Sequence, residues 1–223
     1  MTEIQSFLAK TLNAYDSRRP RSLQTKIGPS SVGGCHRRLW HELAGTPKTN
    51  EGDKLAAILG TFIHKGIEDA LRAEDPWGAQ YELEIEAEAG ELIGHADAYD
   101  KIARRVLDWK TIKKGSGKYF GANNRQQIWQ IHLYGWLLTE NGYTVDEVAL
   151  AGIPRDGKMS DILEHCEPYS PAKANEALEH LDNTKEMVKQ DLRPNPEKPL
   201  AFCADYCPFY DPTGEIGCPS TVR

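Results

Sequence analysis

Long apolar runs are missing from this chain of 223 residues. Its opening stretch, MTEIQSFLAKTLNAYDSRR, is amphipathic and soon charged, so neither a secretory signal nor a membrane span is expected, and the expected setting is cytoplasmic. Internal repeats and low-complexity tracts are also missing, which excludes a solenoid or a disordered array. There is no G-x-x-x-x-G-K-[ST] loop, so the chain carries no helicase motor of its own. Net positive charge is missing too: 27 Lys and Arg against 33 Asp and Glu give −6, which argues against a general polyanion-coating protein. The five cysteines, Cys35, Cys166, Cys203, Cys207 and Cys218, are an odd number and argue against a disulfide framework.

What is present is unevenly placed. Between residues 101 and 125 there are eight Lys or Arg and one Asp, a local balance of +7. Arg18, Arg19, Arg21 and Lys26 form a second basic run, and His36, Arg37 and Arg38 a third. Basic patches on an acidic protein fit a nucleic-acid groove, although any one of them also fits a solvated face.

The hydrophobic period changes along the chain. Residues 2–15 read as a helix with Ile4, Phe7, Leu8 and Leu12 on one stripe; a short helix starts near Cys35; residues 53–73 read as a longer helix with Leu55, Leu59, Phe62 and Ile63 at helical spacing. Strict alternation then predicts a strand over 80–88, followed by strands over 91–99 and 103–110. Helical spacing returns over 125–140, with Trp129, Leu133, Trp136 and Leu137 on one stripe. Strands are expected over 145–153 and 160–167 and a polar amphipathic helix over 170–190, with Pro171 in its first turn. The tail from Pro194 has no period and needs a cross-link to hold shape. The fold class expected is α/β in one domain: a helical region with Cys35 (1–52), a core in the order helix, three strands, helix, strand (53–190) and a Cys-rich tail (191–223).

Four short motifs carry chemistry: GTFIH at 60–64, GHAD at 94–97, DWK at 108–110 and QIHLY at 130–134. Asp108 and Lys110, two apart on a strand, project from one face, with Trp109 turned the other way into the core. An antiparallel neighbour would bring Asp97 beside Asp108. Two adjacent carboxylates repel unless a cation lies between them, and Mg²⁺ or Mn²⁺ prefers such ligands. Lys110 can then serve a water or the charge on a phosphate. His64 shares a helix face with Gly60 and Glu68, so Glu68 is a candidate further ligand or a partner that fixes the imidazole; His95 is an alternative to His64. Gln126, Gln130 and Tyr134, spaced by four, form a polar stripe that fits phosphates or an ordered water, or simply solvent.

In this order the four motifs resemble the PD-(D/E)XK nuclease superfamily, specifically its RecB-like branch. The resemblance implies a restriction-endonuclease-like αβββαβ core. It also implies a metal site of His64, Asp97 and Asp108 and catalytic roles for Asp97, Asp108, Lys110, Gln130 and Tyr134. Cys35 before the core and Cys203, Cys207 and Cys218 after it resemble the pattern of CRISPR-associated iron–sulfur exonucleases and AddB-type nuclease domains. That pattern implies a [4Fe–4S] cluster tying the tail to the N-terminal region, with structural Zn²⁺ as the alternative for four thiolates. Cys166 lies outside the pattern and is expected as a buried thiol on a strand.

The activity implied is a metal-dependent DNA exonuclease, 5′-to-3′ on single strands or frayed ends, with endonucleolytic nicking as well. Lys113, Lys114, Lys118, Arg125, Arg37 and Arg38 are its candidate DNA contacts. The competing reading is a silent or partner-dependent DNA-end-binding subunit of recombination or CRISPR spacer capture. A helicase, a recombinase or an integrase would be the partner; self-association is open, and a bacterial or phage origin suits either reading.

Overall fold

A computed structural model describes residues 1–18, 26–198 and 200–220. Arg19 and Arg21 of the second basic run lie outside the described residues. The elements are α1 (Glu3–Ser17), α2 (Pro29–Val32), α3 (His36–Leu43), α4 (Leu55–Glu74), β1 (Tyr81–Ala89), β2 (Leu92–Asp100), β3 (Arg105–Ile112), α5 (Arg125–Glu140), β4 (Glu147–Pro154), β5 (Leu163–Pro168), α6 (Pro171–Lys189) and α7 (Leu200–Tyr206). The expected α/β core is present. The five strands form one sheet in the order β1-β2-β3-β4-β5. β1, β2 and β3 make an antiparallel meander, β3 and β4 run parallel, and β5 returns antiparallel. The parallel step requires a crossover, and α5 supplies it.

Alternation along β2 sorts the two sheet faces. Leu92, Gly94, Ala96 and Ala98 are buried, while Ile93, His95 and Asp97 are partly open. The buried face packs on α5, whose side chains are hidden nearly all round because the sheet covers one side and α6 the other. Gly94 is required there: a Cβ would stand 2.6 Å from Leu137 Cδ1 and 2.9 Å from Tyr134 Cε1. The open face receives α4, where Gly60 lies against Thr111.

Two expectations are corrected, for Cys166 and for the tail, and two helical stripes turn out largely open. The apolar stripes of α1 and α4 are formed but largely uncovered: Ile4, Phe7, Leu8, Leu55, Leu59 and Phe62 are exposed, and the described contact between these stripes is the ring pair Tyr15–Phe62 at 5.3 Å. Cys166 is exposed rather than buried, because β5 is an edge strand and the alternation points its even positions outward. The tail is not aperiodic: it contains α7, and Cys207 N donates to Cys203 O, so the C-x3-C spacing is one helical turn. The tail is bound to the segment before α4, with Thr49 N and Asn50 N both donating to Pro208 O and Asp53 N to Asp205 O.

Candidate active site

β2 and β3 pair only from Asp100–Arg105 to Ala98–Leu107. One step further along the same register, Asp97 falls opposite Asp108. There the Asp97 carboxylate stands in for a backbone partner: Oδ2 accepts from Trp109 N at 2.7 Å. Its other oxygen lies 3.2 Å from His64 Nδ1, which α4 brings over the open face of the sheet.

Asp108 is only 3% exposed. Burial pushes its carboxyl above the ordinary Asp range; the Lys110 ammonium pulls it back, and Asp97 adds to the rise. Lys110 Nζ is 2.6 Å from Asp108 Oδ2 as an ion pair, but that oxygen has no hydrogen bond of good geometry. Lys110 Nζ donates to Gln130 Oε1 at 2.8 Å, and Gln130 Nε2 donates to Tyr134 Oη at 3.0 Å and, at 3.4 Å, to Asp108 Oδ1. Gln130 and Tyr134 are therefore buried members of one polar chain, not a solvated helix face.

The group opens on two clefts. One, of about 380 Å³, is lined by Gly60, His64, Asp108, Lys110 and the amides of Asn124, Gln126, Gln127 and Gln130. The other, of about 510 Å³, is lined by His64, Glu68, Glu84, Glu86, His95 and Asp97. Trp109 borders both and is half-buried, so it forms a partition between clefts rather than core.

Other expected residues are placed differently. Glu68 is buried and bonded to Arg72 and Lys65 instead of His64. Burial alone would raise its pKa, yet hydrogen bonds with Glu84, Arg72 and Lys65 hold it below the usual range, while Glu84 is raised by sharing that bond. His95 lies 3.6 Å from Glu86 Oε2. Gln126 lines the smaller cleft, but its Nε2 donates to Ser30 O and ties α5 to α2.

Of the basic candidates, Lys113 and Lys118 are exposed and have no ion-pair partner among the described residues; Lys118 lies over the Tyr119 ring at 4.8 Å. Lys114 pairs with Asp161 at 3.0 Å and Arg125 with Glu197 at 3.0 Å. Arg38 pairs with Glu42, and Arg37 donates to Pro194 O at 3.0 Å; both line the cysteine cavity.

Asn124 and Thr111 were missed by sequence reasoning. Asn124 caps α5 by accepting from Gln127 N, a role its place before the RQQI run announces. Thr111 Oγ1 is buried without a hydrogen-bond partner and lines the smaller cleft, and no pattern announces it.

Cys35, Cys203, Cys207 and Cys218 all line one small cavity, and all are free. Burial raises the Cys203 and Cys207 thiols, and neighbouring cysteines add to this. Among the described residues, no three His, Cys, Asp or Glu side chains are grouped so as to hold a metal ion as the chain stands. The donor chemistry nevertheless suits two groups. A cation suits the buried Asp108 beside Asp97, and a thiophilic centre suits the chemistry of the four thiols that line one cavity.

A model of the PD-(D/E)XK nuclease superfamily matches residues 71–211, more than half of the chain. The chain belongs to the PD-(D/E)XK nuclease superfamily. Solved structures share the fold. SSO0001 superposes with a TM-score of 0.57 at 22% identity, over 100% of this chain and 99% of that one. A phage-related exonuclease of Haemophilus somnus 129PT gives 0.52 at 14% identity, over 74% and 82%. An alkaline exonuclease, LHK-Exo, of Laribacter hongkongensis gives 0.52 at 10% identity, over 75% and 90%. No curated protein gives a sequence match. Among the described residues, no helix is long and apolar enough to cross a membrane.

Proposed function

We propose that this member of the superfamily is a metal-dependent deoxyribonuclease. The observation that carries the reading is the pair of neighbouring polar groups His64–Asp97 and Asp108–Lys110–Gln130–Tyr134, assembled from α4, β2, β3 and α5 at the end of a strand ladder. Asp97, Asp108 and His64 would hold Mg²⁺ or Mn²⁺, which when bound supplies Lewis-acid chemistry to a phosphodiester and its attacking water. Lys110, fixed at once by Asp108 and Gln130, orients that water and balances charge on the phosphate. Gln130 and Tyr134 keep the lysine in place, and Lys113 and Lys118 contact the backbone of the substrate. Glu68 acts from further out, through the wall of the larger cleft.

The substrate is DNA with single-stranded or frayed ends, degraded 5′-to-3′ with some internal nicking. Support for exonuclease action comes from the fold shared with two exonucleases. The whole chain works as one nuclease domain in the cytoplasm, and a helicase or recombinase supplies open ends, since the chain has no motor motif. Cys35, Cys203, Cys207 and Cys218 hold a [4Fe–4S] cluster in preference to zinc, as in the iron–sulfur branch of RecB-like nucleases. The cavity that all four line supports this.

The test is digestion of end-labelled single-stranded DNA with Mg²⁺ or Mn²⁺, wild type beside Asp108→Ala, with 5′-blocked, 3′-blocked and circular substrates. Metal-dependent loss of label with wild type alone is expected, sensitive to a 5′ block. DNA that is bound but uncut by the metal-loaded wild type would make the chain an end-binding subunit.

A further inference from the structure

The cysteine cavity has two walls that the thiols do not explain. Arg37 and His41 also line it, one helical turn apart on α3, directly after Cys35 at the N-cap. Arg37 Nη1 donates to Pro194 O, but Nε is buried with no partner. His41 is 0% exposed; its ring stacks on Phe209 at 5.5 Å, its Nδ1 lies 3.0 Å from Thr46 Oγ1, and its Nε2 is buried with no partner. Buried polar groups without partners are uncommon, and two of them on residues that line one cavity suit a site for an acceptor. Neutral thiols accept hydrogen bonds poorly, whereas metal-bound thiolates and sulfides accept them well.

We infer that Arg37 Nε and His41 Nε2 donate N–H···S hydrogen bonds to a net-negative metal–thiolate group held by Cys35, Cys203, Cys207 and Cys218. Thr46 Oγ1 donates to His41 Nδ1, which leaves the imidazole proton on Nε2. Neither residue is a ligand; both are positioning residues that offset the negative charge of the centre. Arg37 is thereby moved from the DNA-contact set to the cysteine cavity. The inference rests on the cysteine reading proposed above.

The test uses anaerobically purified holoprotein, assayed for iron, sulfide and zinc and then challenged with a chromogenic chelator. Arg37→Met, Arg37→Lys and His41→Phe are compared with wild type. Arg37→Lys keeps the charge without Nε–H, and His41→Phe keeps the ring stack without Nε2. Each variant is expected to carry wild-type metal content but to yield it at about 10- to 100-fold lower chelator concentration. If the centre is iron–sulfide, its midpoint potential also moves to more negative values, because the donors favour the reduced, more anionic state. Retention and potential equal to wild type in the Arg37 and His41 variants would overturn the inference and leave the cysteine reading standing. A variant that is folded by circular dichroism but empty would make that residue a ligand and overturn the donor role. A wild type with neither iron nor zinc would overturn the cysteine reading and the inference with it. If His41→Phe fails to fold, the two Arg37 variants decide.

Discussion

Asp108 is the residue where folding and chemistry conflict most. A carboxyl 3% exposed and beside a second carboxylate is costly to ionise, and Lys110 compensates only in part. A bound cation removes the conflict, so Mg²⁺ should raise the melting temperature of wild type, by the equivalent of about 2.7 kcal/mol at 100 times its dissociation constant. Asp108→Ala should show no such shift, and a variant that kept it would place the cation elsewhere. Metal-free Asp108→Asn should melt no lower than wild type, because it removes a buried charge. Lys110→Met should cut the rate by about 10²- to 10³-fold in single-turnover assays. Asp108 and Lys110 were legible as a pair because a period of two fixes which strand residues share a face. Gln130 was half legible: its spacing to Tyr134 was plain, but its burial comes from packing over β3, where it meets Lys110 and Asp108, and no local pattern reveals that. Trp109 was misread because the face opposite Asp108 is covered only partly, by a helix that leaves clefts on either side.

At the scale of elements, the contact between β2 and α5 sets the geometry of the site. Gly94→Ala would drive a methyl into Tyr134 and Leu137, which should cost about 1–3 kcal/mol in chemical denaturation and tilt Tyr134 away from Gln130. Activity should fall by more than the lost stability explains; wild-type activity in a destabilised Gly94→Ala protein would sink the idea that the helix positions Gln130. The loop between β3 and α5 carries Lys113 and Lys118, which have no ion-pair partner among the described residues, and alanine at either should lower the slope of log affinity against log salt by about 1. Slopes unchanged in both would move the DNA path off this loop. Element order was legible nearly throughout, since alternation and helical period rarely compete over such lengths. The coverage of α1 and α4 was not: an amphipathic stripe predicts a helix, but not whether the fold supplies enough partner surface to hide it.

For the whole molecule, several buried imidazoles set the response to acid. Burial holds His132 and His180 below 6.5, His180 at about 4. His132 is neutral by its network: Nδ1 accepts from Ser170 N at 3.2 Å, so Nε2 donates to Glu167 at 2.8 Å. Each such histidine binds its proton more readily unfolded, so its contribution to stability is complete above about pH 6.5 and fades as pH falls toward the folded-state value. Glu167, held at about 2 although burial opposes this, by bonds from Lys173 and His132, adds a second loss as pH falls below its ordinary 4.5. Urea midpoints should therefore drop between about pH 7 and pH 5, above the range of an ordinary carboxylate; a flat profile there would contradict the assignment. The tail that clasps residues 49–53 has a consequence for biosynthesis. Residues 203–208 are synthesised well after residues 49–53, so at about 5–20 residues per second that earlier segment waits roughly 10–30 s for the backbone partners it hydrogen-bonds in the finished fold. Nascent chains stalled before residue 203 should expose that segment to proteases, and release of the full chain should protect it.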